Sequence, residues 1–108
     1  MQAKEIQLPL IIHRADTSWK RLKGLLFYKE PIMEEGLLIT PCNSIHMFFM
    51  RFAIDVVFLD QANKVVKVVS GLKPWKMIPP VSNAYATLEL PTGTIANQQI
   101  SIGDTISL

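Results

Sequence analysis

The stretch Ile54-Asp55-Val56-Val57-Phe58-Leu59 constrains the fold of this chain more than any other. β-Branched and aromatic side chains dominate it, and these favour an extended, pleated backbone. Only Asp55 interrupts the apolar run, so polar and apolar residues do not alternate. A strand with that pattern is buried on both faces, and the rest of the chain must cover it from two sides. Asp60-Gln61-Ala62-Asn63 follows, then a second β-branched run, Lys64-Val65-Val66-Lys67-Val68-Val69. Asn63 tolerates the left-handed conformation that closes a hairpin of this length. Lys64 and Lys67 do not alternate cleanly, which predicts a bulge in the register of the pair.

The remaining strands are shorter. Ile6 to His13 is apolar around Pro9, which predicts an edge strand or a kinked one. Gly36 to Thr40, Trp75 to Ile78, Tyr85 to Leu90 and Ile100 to Leu108 supply others, with Gly103-Asp104 as a turn near the end. One helix is predicted near 17–23. Asp16 would cap its amides, Trp19, Leu22 and Leu26 share one face, and Gly24 suits its left-handed end. These elements predict an α+β fold, mainly antiparallel β. Its sheets form a small barrel-like arrangement, with the helix over one opening. Repeats, low-complexity tracts and linkers are absent from the sequence. Apolar patterning runs through Pro79-Pro80, so residues 1–108 read as a single domain.

Composition narrows the class. The 108 residues are 49% hydrophobic and 19% charged, and the mean hydropathy is +0.25. Disordered chains have the opposite balance. A single Cys leaves no internal disulfide framework and suits a reducing compartment. The formal charge is +2 and the pI near 8.8, short of the clustered basicity of a nucleic-acid binder. Residues 36–80 are mildly cationic, with Arg51, Lys64, Lys67, Lys73 and Lys76 against Asp55 and Asp60. The N-terminus carries Glu5 where an export signal would be basic, and its apolar run is cut by Pro9. The sequence holds no apolar run long enough to span a bilayer, so the expected location is cytoplasmic, without membrane or nucleic-acid partners.

Unusual residues gather in Pro41-Cys42-Asn43-Ser44-Ile45-His46-Met47-Phe48-Phe49-Met50-Arg51-Phe52-Ala53-Ile54-Asp55. If 44–51 is extended, Ser44, His46, Phe48 and Met50 share one face, and Ile45, Met47, Phe49 and Arg51 the other. Neither face is cleanly polar, so the polar groups there need partners. Asp55 is the natural partner of a buried Arg51 guanidinium. Four readings follow. The residues are structural; or Ser44, His46, Arg51 and Asp55 line a pocket for a small anionic or polar ligand; or Cys42 and His46 act as nucleophile and base; or Cys42, His46, Met47 and Met50 hold a soft metal. For these residues taken alone the structural reading is the commonest one; among the functional readings the second is favoured, with no cofactor or metal expected, because Met residues beside Phe residues are core fillers more often than ligands. Gly-rich phosphate loops, paired zinc half-sites and nucleophile elbows are absent from the sequence. Trp75 is expected in the core or, beside Pro74, along a groove. His13 is expected on the surface. Alternation around Glu89 places it outward, or inward toward a basic partner such as Arg51 or Arg21.

Arg21-Leu22-Lys23-Gly24-Leu25-Leu26-Phe27 and the run from Pro41 to Asp60 together resemble a widespread prokaryotic family, domain of unknown function 192. Leu72-Lys73-Pro74-Trp75, Leu88-Glu89-Leu90-Pro91 and Ile102-Gly103-Asp104 are similar to it in the same order. The likeness runs from about residue 4 to 108. It departs at Leu26, Ala53 and Asn63, where the family often has Met, Pro and Gly. The resemblance implies a compact, mostly β domain and no assigned reaction. The expected function is therefore a binding module with a polar pocket at Ser44, His46, Arg51 and Asp55. The alternatives are a small enzyme using Cys42 and His46, and a structural or adaptor protein with an apolar partner surface near 75–81.

Overall fold

The computed structural model describes residues 2–15, 33–48 and 50–108. In chain order its elements are β1 (Glu5–Ile6), β2 (Ile11–Ala15), β3 (Glu35–Ile39), β4 (Ile45–His46), β5 (Ile54–Leu59), β6 (Val65–Leu72), β7 (Met77–Ile78), β8 (Ala86–Leu90), α1 (Thr94–Asn97) and β9 (Thr105–Ile106). The fold is α+β with mainly β content. The helix expected near 17–23, with Asp16, Trp19 and Arg21, lies outside the described residues.

β2-β3-β8-β5-β6 form one sheet in that order, and β8 and β5 at its centre are buried at every position. The doubly buried reading of 54–59 therefore holds, and its two faces can be named. Ile54, Val56 and Phe58 enter one cluster with Met47, Met50, Phe52 and Leu72. Val57 and Leu59 enter the other with Leu38, Leu88, Leu90, Ile95 and Ile106. Burial at this density removes the core side chains from water almost completely, each worth about 1.5–3 kcal/mol.

The β5–β6 hairpin closes as its sequence predicts. Asn63 adopts φ 63°, and the Asp60 carboxylate accepts the amides of Ala62 at 2.8 Å and Lys64 at 3.0 Å. The register shifts between Phe58 and Leu59, and again between Ile54 and Val56. The first shift is the bulge that Lys64 and Lys67 announced.

Three expectations change. The barrel-like closure is absent among the described residues: β2 and β6 remain the two edges of an open sheet. Closure is unnecessary because other layers cover both faces. The β1–β9 pair, α1 and Ile100 join the cluster on one side, and the chain around β4 and β7 covers the other. The pairing is also mixed, since β2–β3 and β1–β9 run parallel. Finally, Ile6 to His13 is two short strands rather than one, divided at the Pro9-Leu10 bend.

Candidate functional site

β4 and β7 pair antiparallel, with His46 opposite Met77. The Met47 amide donates to the Lys76 carbonyl at 2.7 Å, and the Trp75 amide donates to the Met47 carbonyl at 2.8 Å. The Met50 amide then turns back to the Met47 carbonyl at 3.2 Å. This turn breaks the alternation that an extended 44–51 would have. Met47 and Met50 both point into the core, while His46 and Phe48 are exposed.

Those exposed side chains form a ladder of rings. The His46 and Phe48 centroids lie 5.1 Å apart at 30°, and Phe48 and Trp75 lie 6.2 Å apart at 30°. Aromatic pairs at such separations attract by about 0.5–1.5 kcal/mol beyond their burial. Trp75 is 59% exposed, as is Met77, so the core placement expected for Trp75 is wrong. Its backbone sits at φ 70°, a region costly for a bulky side chain and tolerated only where the surroundings impose it. The bond from its amide to the Met47 carbonyl holds the Trp75 backbone against the loop that carries Phe48. The sequence held a signal for this: Trp75 is flanked by Lys73 and Lys76 and by prolines at 74, 79 and 80, a poor context for a core strand.

Ser44, His46 and Arg51 lie on this layer, with Ser44 half-buried and the other two exposed. Asp55 does not join them. It is 1% exposed, and its carboxylate accepts the Gly71 amide at 2.8 Å and the Ile95 amide at 2.9 Å. Asp55 thus ties the β6 end and the first turn of α1 to the central strand. The expected Arg51–Asp55 ion pair is absent among the described residues. The cause is geometric: Asp55 alternates with Ile54 and Val56 and turns toward the opposite sheet face.

The Cys42 thiol donates to the Ser44 carbonyl at 3.0 Å. No hydrogen bond joins Cys42 to His46 among the described residues; the His46 ring packs on Phe48 instead. Cys42 lines a recess of about 220 Å³ with Pro41, Asn43 and Tyr85. A larger open groove of about 890 Å³ lies against Asp60, Lys64, Asn83, Tyr85 and Ile102, away from Ser44, His46 and Arg51. No group of three or more metal-ligating side chains occurs among the described residues, and none of their helices is long and apolar enough to cross a membrane. His13 is on the surface as expected, 2.6 Å from Glu35.

Comparison with known proteins gives a consistent picture. A UPF0127 protein of Thermococcus sibiricus is 39% identical over 98 residues, covering 85% of this chain and 62% of that protein. One from Pyrococcus furiosus is 35% identical over 108 residues, covering 95% of this chain and 89% of that protein. The chain spans about three fifths of the length of the first Thermococcus relatives, 62% and 61%. Among solved structures, a protein of unknown function from Novosphingobium aromaticivorans superposes with a TM-score of 0.75 at 26% identity, covering 85% of this chain and 70% of that one. A Sinorhizobium meliloti structure shares the fold, with a TM-score of 0.76 at 20% identity over 87% of this chain and 78% of that one. The family model described as Uncharacterized ACR, domain of unknown function 192, matches residues 2–108, and the chain belongs to that family.

Proposed function

We propose that this domain is a binding module for a small anionic ligand that carries a ring or other flat apolar face. The observation that supports this reading is the exposed ladder of His46, Phe48 and Trp75 on a layer rich in exposed cations. Residues 41–53 and 73–84 contain Arg51, Lys73 and Lys76 and no Asp or Glu. All three cations are exposed, and none is held in an ion pair among the described residues. An aromatic face supplies stacking area, and a guanidinium supplies two parallel donors to a carboxylate or phosphate. Ser44 adds a hydroxyl. Asp55 is not part of this reading, since both its oxygens are engaged elsewhere.

A thermal-shift screen tests it with benzoate, a hexose phosphate and a mononucleotide beside uncharged counterparts, on wild type, Arg51→Ala and Trp75→Ala. Stabilisation grows as RT ln(1 + [L]/Kd), about 2.7 kcal/mol at a hundredfold excess over Kd. At least one anionic ring compound should stabilise wild type, and both variants should lose that shift. Equal shifts in all three proteins, or none from any compound, would reject the reading.

A second reading rests on Met77, which is 59% exposed beside the rings. An adaptable Met next to aromatic side chains suits an apolar protein surface. It predicts concentration-dependent self-association or partner capture that Met77→Lys abolishes.

A further inference from the structure

Glu89 is the one buried side chain of the described residues whose carboxylate oxygen, Oε2, has no hydrogen-bond partner. It is 5% exposed and lies on the central strand β8, between Leu37 of β3 and Val56 of β5. Val56 belongs to the cluster of Met47, Met50 and Phe52, and Leu37 packs against it. Glu89 therefore faces the layer whose outer side carries His46, Phe48 and Trp75. It does point inward, but among the described residues no basic partner meets it: Arg51 forms no ion pair with it, and Arg21 lies outside the described residues.

The ionisable groups of the described residues near that side are few. His13 and Glu35, on β2 and β3, are paired with each other. Lys67 of β6, opposite Phe58, is exposed. His46, Arg51, Lys73 and Lys76 lie exposed on the covering layer, Cys42 is half-buried beside Thr87 of the same β8 face, and Tyr85 just before β8 is exposed. Asp55 of β5 is turned to the opposite face. None of them forms an ion pair with Glu89. With desolvation unopposed, burial pushes the Glu89 carboxyl up to about 8. An ionised carboxylate cannot remain dry and unpaired, so losing the proton requires water to enter. The covering layer is the part that can yield. It is held by Met47, Met50 and Phe52 packing and by the two backbone bonds between Met47 and the Trp75-Lys76 segment.

We propose that Glu89 is a proton switch under the β4–β7 layer: protonated, it lets the layer seat on the sheet, and ionised, it lifts the layer and disperses the ring ladder. The switch itself stands on the burial and the orphan oxygen. Its consequence for ligand binding rests on the reading given above.

Amide hydrogen exchange without any ligand tests the switch separately from that reading. Wild type and Glu89→Gln are compared at pH 6.5 and 8.5, each rate corrected for intrinsic exchange. In wild type, protection of the Met47 and Trp75 amides should fall at least tenfold more than that of the β5 amides. In Glu89→Gln, which keeps the neutral shape, the excess fall should vanish. The imidazoles of His13 and His46 are present in both proteins and cancel from the comparison. Equal protection changes in the layer and in β5, or the same excess fall in the variant, would overturn the proposal. Should the variant not fold, carboxyl-carbon NMR of wild-type Glu89 decides: a midpoint well above 6 supports the switch, and one between 4 and 5 overturns it.

Discussion

Asp55 shows how one side chain can be misassigned by its sequence neighbours and explained by its partners. Its two oxygens take amides from positions 16 and 40 residues away, which no local pattern announces. Removing the carboxylate leaves one buried and one partly buried N–H without an acceptor. Asp55→Ala should therefore cost about 2–4 kcal/mol by urea denaturation, while Arg51→Ala, exposed and in no ion pair among the described residues, should change stability by less than about 0.5 kcal/mol. Asn63 offers the converse case. Its φ of 63° suits Asn or Gly, so Asn63→Gly should leave the urea midpoint nearly unchanged. Asn63→Val forces a β-branched residue into the left-handed region and should cost about 1–2 kcal/mol.

At the scale of elements, the chain ends are joined by one carboxylate. Asp104 accepts the Lys4 amide at 3.0 Å, the Lys4 ammonium at 2.8 Å and the Ser101 amide at 2.9 Å. The Lys4 side-chain bond, then the Lys4 and Ser101 amides, hold its pKa down at about 2, below the ordinary 3.8. A carboxyl depressed on folding contributes stability that is present above its unfolded pKa and lost as pH falls through the folded one. Wild type should therefore lose stability between about pH 4 and pH 2, and Asp104→Asn should be less stable at pH 6 with a flatter acid limb. Local patterns made the β5–β6 hairpin legible, because turn chemistry and β-branched runs act over a few residues. Ala86–Leu90 was legible for the same reason. The four-residue α1 was not: it is too short for periodicity, its N-cap Gly93 offers no side chain, and its capping carboxylate comes from Asp55. The ring ladder was half legible. The sequence marks His46 as a candidate, but Phe48 and Trp75, 27 residues apart, meet only through the β4–β7 pairing.

At the scale of the molecule, an open sheet works because two unlike layers cover it. One is an apolar cluster tied to both chain ends, and the other is a loop layer that buries methionines inward and shows rings outward. Phe58 of β5 packs under the second, at 0% exposure. Phe58→Ala should cost about 3–5 kcal/mol, a large share of the roughly 5–15 kcal/mol that holds a domain together. It should also release the β4–β7 layer, seen as weaker Trp75 protection in hydrogen exchange. The outer side of that layer combines three rings with three exposed cations in a chain whose net charge is only +2, which is why binding is proposed there rather than at the groove at Tyr85. Chemical-shift mapping of the labelled domain, titrated with whichever anionic ring compound stabilises it most, tests that assignment most directly. Perturbations centred on residues 44–51 and 73–77, including the Trp75 indole, are the predicted result. Perturbations centred on Asp60, Tyr85 and Ile102, with the Trp75 indole unmoved, would contradict it.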